Sequence, residues 1–255
     1  MFYTEVIDRK RNAMENSLYI GLSKQVVLRE NMDIIAQNVA NVNTPGYRAQ
    51  NMVFSEYISD PRHMEEDMSL VLDYGQYQMT DPGSMKETGN SLDIALVGRG
   101  FLGIQTPGGE IQYTRAGNLT LDQDGKLVNA RGMAVMDDGG AEINIPQNAR
   151  EVYIDKRGAI STEQGQIANL MIMEFGNTQE LNPAGNGLYE TDAQPIPSET
   201  TAVNQGYLEG SNVQAVVEMT RMIDVLREYQ AVQNIMKSEH ERMKGANQRL
   251  ARTQA

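Results

Sequence analysis

The sequence contains no cysteine, no tryptophan and only two histidines among its 255 residues. Without cysteine the chain cannot form disulfides, thiolate metal sites or a cysteine nucleophile. Aromatic residues are scarce, with 11 tyrosines and four phenylalanines. No apolar run approaches the ~18 residues that a membrane-spanning helix needs. These absences argue against a disulfide-rich scaffold, a metal cage and an integral membrane protein.

Signatures of catalysis are also missing, since no GxSxG, HExxH or P-loop pattern occurs. Gly98–Gly103 matches GxGxxG, but no helix follows it, so a dinucleotide phosphate would meet no helix N-terminus. We interpret this segment, and the calcium-loop-like residues 122–125, as turns between strands. The acidic residues 65–67 lie in a predicted connector, where nothing fixes a catalytic separation. We therefore expect no enzyme activity, no metal and no cofactor.

Charge and glycine divide the chain into three parts. The net charge is −12, and the middle residues 51–210 carry −15 between ends of +1 and +2. The same middle part holds 20 of the 23 glycines. Strong acidity argues against nucleic acid as a partner, because phosphates require basic side chains. The ends and the middle are therefore expected to differ in structure.

The N-terminal region carries an apolar stripe that predicts a helix. Its members recur at spacings of three and four residues, which places them on one helix face: Leu28, Met32, Ile35, Val39 and Val42. Asn38 and Asn41 interrupt this stripe, although asparagine is a poor helix former. Thr44-Pro45-Gly46 then ends the helix, because the residue before proline is biased away from helical geometry. We expect the amides to make a specific packing contact there.

The C-terminal region predicts a longer helix, from about Ser211 to Arg252, with Ser211 and Gln214 as a capping box. Apolar residues recur every seven positions, at Met222, Tyr229, Met236, Met243 and Leu250. Met219 and Leu226 begin a second, partial stripe that later turns polar. A helix of ~60 Å at about 1.5 Å per residue cannot bury such stripes alone. Either the terminal helices pair with each other or with the central domain, or they pair between copies.

The middle of the chain predicts an antiparallel β domain. Short strands are expected at residues 92–97, 111–113, 118–121, 126–128, 168–175 and 187–190. No helical pattern separates them, which excludes a parallel α/β fold. Residues 121–127 are similar to residues 154–160, which predicts two similar hairpins. The patterns therefore predict the fold class α+β, with long helices at both ends of the chain and a central antiparallel β domain.

Residues 36–48 resemble the N-terminal signature of the flagellar basal-body rod and hook family, roughly Ala-Asn-Asn-Leu-Ala-Asn-x-x-Thr-x-Gly-Phe/Tyr-Lys/Arg. Gln37 and Val39 depart from it, and eight positions match: Ala36, Asn38, Ala40, Asn41, Thr44, Gly46, Tyr47 and Arg48. Residues 88–101 with 113–117 are similar to the family's central block, and residues 206–223 to its C-terminal block. Because the three motifs occur in the family's order, the chain is identified as a member.

The resemblance implies a structural subunit whose terminal helices form an inner coiled-coil layer, with the β domain outside. It implies stacking with itself and with other rod and hook subunits, in a rod that crosses the periplasm and transmits torque. It also implies export by the flagellar type III apparatus without a cleaved signal, no cofactor and no insertion into a membrane. Residues 15–23 and 28–33 favour the proximal-rod type over the distal-rod type. A polysaccharide-processing protein and an adhesin with a helical stalk are the alternatives from other classes.

The resemblance also places the family start at Met14, which divides the chain into an extension (1–13), an N-terminal helix (14–45), an extended connector with little regular structure (46–90), a β domain (91–205) and a C-terminal helix (206–255). The predicted assembly interface comprises Leu28, Met32, Ile35, Asn38, Val39, Asn41, Thr44, Gly46, Met219, Met222, Leu226, Tyr229, Met236 and Met243.

Overall fold

The computed structural model describes the backbone of residues 2–59 and 68–253, and the side chains of residues 18–53, 75–245 and 248. The chain divides into two compact units. The helical unit contains described residues 2–39, 50–59, 68–77 and 215–253, and the β unit contains residues 40–49 and 78–214. The predicted acidic cluster at 65–67 lies outside the described residues. Among the described residues, no helix is both long and apolar enough to cross a lipid bilayer.

The helical unit is built from two long helices and a strand pair. Helix α1 (Phe2–Ala40) and helix α2 (Ala215–Thr253) each contain 39 residues. Strands β1 (Gln50–Ser59) and β2 (Met68–Gln78) form a two-stranded sheet. The expectation of little regular structure over residues 46–90 was therefore wrong, because polar and methionine residues hid the strand pattern. Residues 2–13 of the predicted extension lie in the same helix as the residues that follow them.

The β unit contains the remaining fifteen described strands. In chain order they are β3 (Met85–Glu87), β4 (Ile94–Val97), β5 (Phe101–Gln105), β6 (Ile111–Thr114), β7 (Leu119–Leu121), β8 (Leu127–Asn129), β9 (Tyr153–Ile154), β10 (Ala159–Thr162), β11 (Gly165–Asn169), β12 (Ile172–Glu174), β13 (Asn182–Gly185), β14 (Leu188–Glu190), β15 (Ile196–Pro197), β16 (Ala202–Gln205) and β17 (Tyr207–Glu209).

Every strand pairing with a described register is antiparallel, as expected. The largest sheet has the order β13-β14-β6-β5-β12-β15, and a second has the order β11-β10-β9. Three further pairs join β16 to β4, β17 to β3 and β7 to β8.

Residues 207–209 form a strand, although they were predicted to belong to the C-terminal helical segment. The C-terminal helix begins at Ala215 instead of Ser211. The α+β class is confirmed, and the GxGxxG segment lies at the turn between β4 and β5.

Two buried clusters form the core of the β unit. The larger cluster is aliphatic and includes Ile94, Leu102, Leu127 and Ile160, all of which are fully buried. The smaller cluster contains four aromatic rings, Phe101, Tyr113, Phe175 and Tyr189, which form three edge-to-face pairs with ring centres 4.8 to 5.9 Å apart. Edge-to-face geometry sets the positive edge of one ring against the negative face of another. Four of the 15 aromatic residues thus pack together in this cluster.

Four tight turns of the β unit share one pattern, an Asp or Asn followed three residues later by a glycine. Each glycine has φ between 78° and 86° and donates its N–H to the carbonyl of that Asp or Asn. The Asp or Asn side-chain oxygen also accepts a hydrogen bond from a backbone N–H four residues ahead. The pairs are Asp122 with Gly125, Asn129 with Gly132, Asp137 with Gly140 and Asp155 with Gly158. Both predicted hairpins are confirmed, and two further turns follow the same rule.

We expect Asp122→Ala to destabilise the β unit by about 1–2 kcal/mol, because it removes the side-chain oxygen that accepts two hydrogen bonds from backbone N–H groups. The Asp122 Oδ1 atom accepts from the amides of Asp124 and Lys126 at 2.9 and 2.8 Å. Asp124→Ala is the matched control, since it removes the same charge from the same turn but leaves both bonds. Hydrogen exchange at the Leu127 amide measures the difference. Equal protection in the two variants would contradict this account.

Candidate assembly site

Helices α1 and α2 lie side by side and antiparallel within the helical unit. Lys24 Nζ lies 4.0 Å from Glu228 Oε2, and the Asn38 amide reaches Glu218. Nearer the start of α1, a Cβ added to Gly21 would lie 2.9 Å from Met236 Cγ. As the residue number increases along α1, the number of the contacting residue on α2 decreases, so the two helices run in opposite directions. Gly21 allows the two backbones to approach while Met236 fills the space opposite it.

The predicted apolar repeats lie largely on the inner faces of the pair. On α1, Leu28 and Ile35 are buried and Met32 and Val39 are half-buried. On α2, the seven-residue repeat is half-buried throughout its described members, Met222, Tyr229, Met236 and Met243. The predicted apolar stripes are thus largely buried or half-buried within a single subunit. The pairing of the two helices as a coiled coil stays a prediction.

A buried polar network joins α1, β1 and α2. The Asn38 side chain donates to the Gln50 carbonyl at 2.8 Å and accepts from the Gln50 amide at 3.0 Å, so it pairs with β1 as another strand would. It also donates to Glu218 Oε2 at 3.3 Å. Arg221 donates to the other Glu218 oxygen at 2.9 Å and to Asn51 at 3.2 Å. The specific contact predicted for Asn38 is therefore present inside the helical unit.

Apolar side chains remain exposed on a second face of each helix. On α2 they are Val216, Met219, Ile223 and Leu226, of which Met219 is 51% and Leu226 44% exposed. Spacings of three, four and three residues place them on one face, about a third of a turn from the inner face. On α1, exposed Tyr19, Leu22 and Val26 show the same spacing. Met219 and Leu226 are thus the two predicted interface residues that the subunit leaves uncovered on α2.

The remaining predicted residues, Asn41, Thr44 and Gly46, form the turn that opens the β unit. The Thr44 hydroxyl donates to the Asn41 side-chain oxygen at 3.0 Å. Gly46 has φ of +67° and donates its N–H to the Glu209 carbonyl at 2.8 Å. A Cβ at Gly46 would lie 2.4 Å from the carbonyl carbon of Arg115. Glycine is therefore required here by both the backbone conformation and the close approach.

A buried ion triad lies next to this turn. The fully buried Glu209 carboxylate accepts from Arg48 Nη2 at 2.8 Å and from Arg115 Nη2 at 2.7 Å. Arg115 also donates to the carbonyls of Leu96, Gly98 and Gly100, so all its N–H groups are used. Burial lowers the pKa of Arg48, while Glu209 raises it and the charge of Arg115 lowers it. One carboxylate therefore holds two desolvated guanidinium groups.

Sequence reasoning missed Glu218, Glu209 and Arg115 as site residues. Glu218 occupies a position four residues before Met222 on the inner face, but apolar periodicity does not reveal a charged member. Arg115 lies within the central motif and Glu209 within the C-terminal motif on which the resemblance rests. Their place in these motifs was the signal that could have pointed to them.

Comparisons with known proteins agree with these motifs. Three family profiles match: flagella basal body rod protein at residues 18–48, flagellar hook protein FlgE/F/G D1 domain at residues 95–162, and flagellar basal body rod FlgEFG protein C-terminal at residues 204–249. FlgF of Caulobacter vibrioides is 34% identical, over 94% of this chain and 99% of its own length. The chain therefore belongs to the flagellar basal-body rod protein family.

Two further relatives sharpen the position within the family. FlgF of Rhizobium meliloti is 34% identical over 88% of this chain and 93% of its own. FlgG of Buchnera aphidicola is also 34% identical, but over 84% of this chain and 92% of its own. Identity does not separate the two types here, whereas coverage favours FlgF, with FlgG as the alternative.

We expect Asn38→Ala to destabilise the helical unit by about 2–4 kcal/mol, because it removes both hydrogen bonds to the Gln50 backbone and the one that Asn38 donates to the buried Glu218. The control is Asn234→Ala, an exposed asparagine on α2, for which we expect a change within about 0.5 kcal/mol. Urea unfolding followed by helical circular dichroism compares the two. A loss no larger than that of the control would show that the network does not stabilise the unit.

We expect Gly46→Ala to cost about 1–3 kcal/mol more than Gly89→Ala, because only the former forces backbone atoms apart. Both glycines have similar positive φ, +67° and +70°, so the conformational strain of an added Cβ is matched. A Cβ at Gly89 meets no atom within 4 Å. Thermal unfolding of the full chain measures the difference, and equal losses would exclude the close approach as the cause.

Proposed function

We propose that the chain is a structural subunit of the flagellar basal-body rod, of the FlgF type, which assembles through its terminal helices and transmits torque. Membership of the family and the extensive coverage by FlgF relatives support this role. Its partners are further copies of itself and other rod and hook subunits. Its place is the part of the rod that crosses the periplasm, after export by the flagellar type III apparatus without a cleaved signal. A distal-rod role of the FlgG type is the second candidate, supported by the FlgG relatives.

The exposed apolar stripes carry the assembly part of this proposal. A contiguous apolar face on a soluble subunit marks a contact with another protein. Val216 to Leu226 on α2 and Tyr19 to Val26 on α1 are such faces, and each uses the helical spacing that fits a second helix. The half-buried seven-residue repeat then serves the pairing of α1 with α2, which we propose to be a coiled coil. The outer stripes serve contacts between copies.

The two outer stripes lie at different levels along the helix pair. Contacts of Gly21 with Met236 and of Asn38 with Glu218 place the α1 stripe beside residues near 234 of α2. The α2 stripe is centred near residue 221, about 13 residues or ~20 Å away along the axis. A contact between the α2 stripe of one copy and the α1 stripe of the next is therefore staggered. Such a contact joins two different surfaces, and copies joined in this way extend into a filament when the rotation between them does not close a ring.

We expect Leu226→Asp to weaken self-association by at least about tenfold, because it places a charge in an apolar contact that must be desolvated. Ala231→Asp is the matched control, since residue 231 is exposed on α2 but lies about 100° away from the stripe. Sedimentation velocity over a concentration series measures association, and negative-stain microscopy identifies filaments. Leu22→Asp tests the opposing stripe in the same way.

Circular dichroism serves as the folding control for these variants. Helix content is expected to match between Leu226→Asp and Ala231→Asp, because both side chains are solvent-exposed in the single subunit. Association of Leu226→Asp at the concentration of the unsubstituted chain would overturn the role of the stripe. Loss of association in Ala231→Asp would assign the contact to a different face.

A further inference from the structure

Methionine is the residue type through which a peroxide reversibly changes this chain. The sequence contains 16 methionines and no cysteine. Cysteine and methionine are the side chains whose first oxidation products enzymes reverse, and methionine sulfoxide is polar where methionine is apolar. Reversible oxidation of this chain is therefore directed at thioether groups, and the surroundings of each thioether decide which of them reacts.

Exposure distinguishes two methionines from the others. A dissolved oxidant must reach the sulfur atom, so burial protects a thioether. Of the twelve methionines whose side chains the structure describes, Met219 is 51% and Met85 40% exposed, whereas the other ten are buried or half-buried. Met219 lies on α2, and Met85 lies on β3 of the β unit. Met219 is thus the most exposed methionine among the described side chains.

Met219 is also a member of the outer stripe of α2. Its neighbours on that face are Val216, three residues before it, and Ile223, four residues after it, and both are exposed. An oxygen added to the Met219 sulfur would place a strong hydrogen-bond acceptor between these apolar side chains. A contact that covers the stripe must then desolvate this acceptor, which costs free energy unless the neighbour supplies a donor. Oxidation of Met85 leaves the stripe unchanged.

We propose that Met219 is a site of reversible oxidation that controls self-association through the outer stripe of α2. A hydroperoxide transfers one oxygen atom to the Met219 sulfur: the O–O bond breaks, an S–O bond forms, and water or an alcohol leaves. The sulfur loses two electrons and the peroxide gains them. A thiol-dependent sulfoxide reductase restores the thioether, releasing the oxygen as water and oxidising two thiols to a disulfide. This inference rests on the proposed role of the stripe in assembly.

The reaction depends on whether the subunit has assembled. In the single subunit Met219 is open to solvent, whereas a neighbouring helix on the stripe would cover its sulfur. Oxidation is therefore directed at subunits that have not yet joined a neighbour. Once the contact has formed, it protects the same thioether whose oxidation would have prevented it.

The test treats the full chain with hydrogen peroxide at a concentration where it is monomeric, and mass spectrometry of its peptides follows each methionine. We expect Met219 to gain oxygen at least about threefold faster than the half-buried Met222. Sedimentation velocity then compares treated and untreated chains, and we expect association to weaken at least about fivefold. Methionine sulfoxide reductases for both sulfur epimers are expected to restore it. Oxidation of Met219 no faster than that of Met222, or unchanged association after its complete oxidation, would overturn the proposal.

Two matched variants assign the effect to one sulfur atom. Met219→Leu keeps an apolar side chain of similar volume on the stripe but has no thioether there, so its association is expected to resist peroxide. Met85→Leu removes the other exposed thioether, and its association is expected to stay sensitive. Equal sensitivity of the two variants would contradict the proposal.

The Leu226→Asp experiment separates failure of this proposal from failure of the assembly role. If Leu226→Asp associates normally, the stripe has no role in assembly and both proposals fall. If Leu226→Asp weakens association but oxidation of Met219 does not, only the control by oxidation is wrong.

Discussion

The pairing of one buried carboxylate with two arginines organises the entry and exit of the β unit. Glu209 lies on the last strand before α2, Arg48 lies just after the turn that ends α1, and Arg115 lies in the middle of the chain. Breaking a buried ion group by removing one member leaves an uncompensated charge and costs several kcal/mol in known cases. The triad therefore tolerates little rearrangement. Gly46 and Asn212 complete the same junction through bonds to the Glu209 and Tyr47 carbonyls.

The helical unit uses polarity for a different purpose. Its inner face is mostly apolar, and such faces slide past one another at little cost. Asn38 and Glu218 fix one relative position, because each is buried and finds its partner only when α1, β1 and α2 are in register. A single buried polar group is known to set register in helix pairs at some cost in stability. The outer apolar stripes, by contrast, have no such polar member and are left to be covered by a neighbour.

Local patterns were the part of this structure that the sequence predicted well. The stripes at Leu28 to Val39 and Met222 to Met243 obey the helical period, and the turns at residues 122–125 and 155–158 obey a rule within five residues. Strands β1 and β2 were missed because polar residues and methionines obscure their alternation. The ion triad was missed for another reason: its members are separated by about 70 to 160 residues of chain, so only the pairing of distant segments brings them together. Sequence showed a second stripe at Met219 and Leu226, but only the packed subunit reveals that it stays exposed.

The seven-residue spacing on α2 has a consequence for how this chain can change length in evolution. The half-buried positions at Met222, Tyr229, Met236 and Met243 keep one face because each step is two nearly whole turns. An insertion of one residue would rotate everything beyond it by about 100° and turn the inner face to solvent. An insertion of seven residues preserves the inner face but lengthens one helix by ~10 Å. The other helix, which has the same length, would then need an equal insertion to stay in contact along its whole length. Viable length variants are therefore expected to arise as paired additions or losses of heptads in both helices.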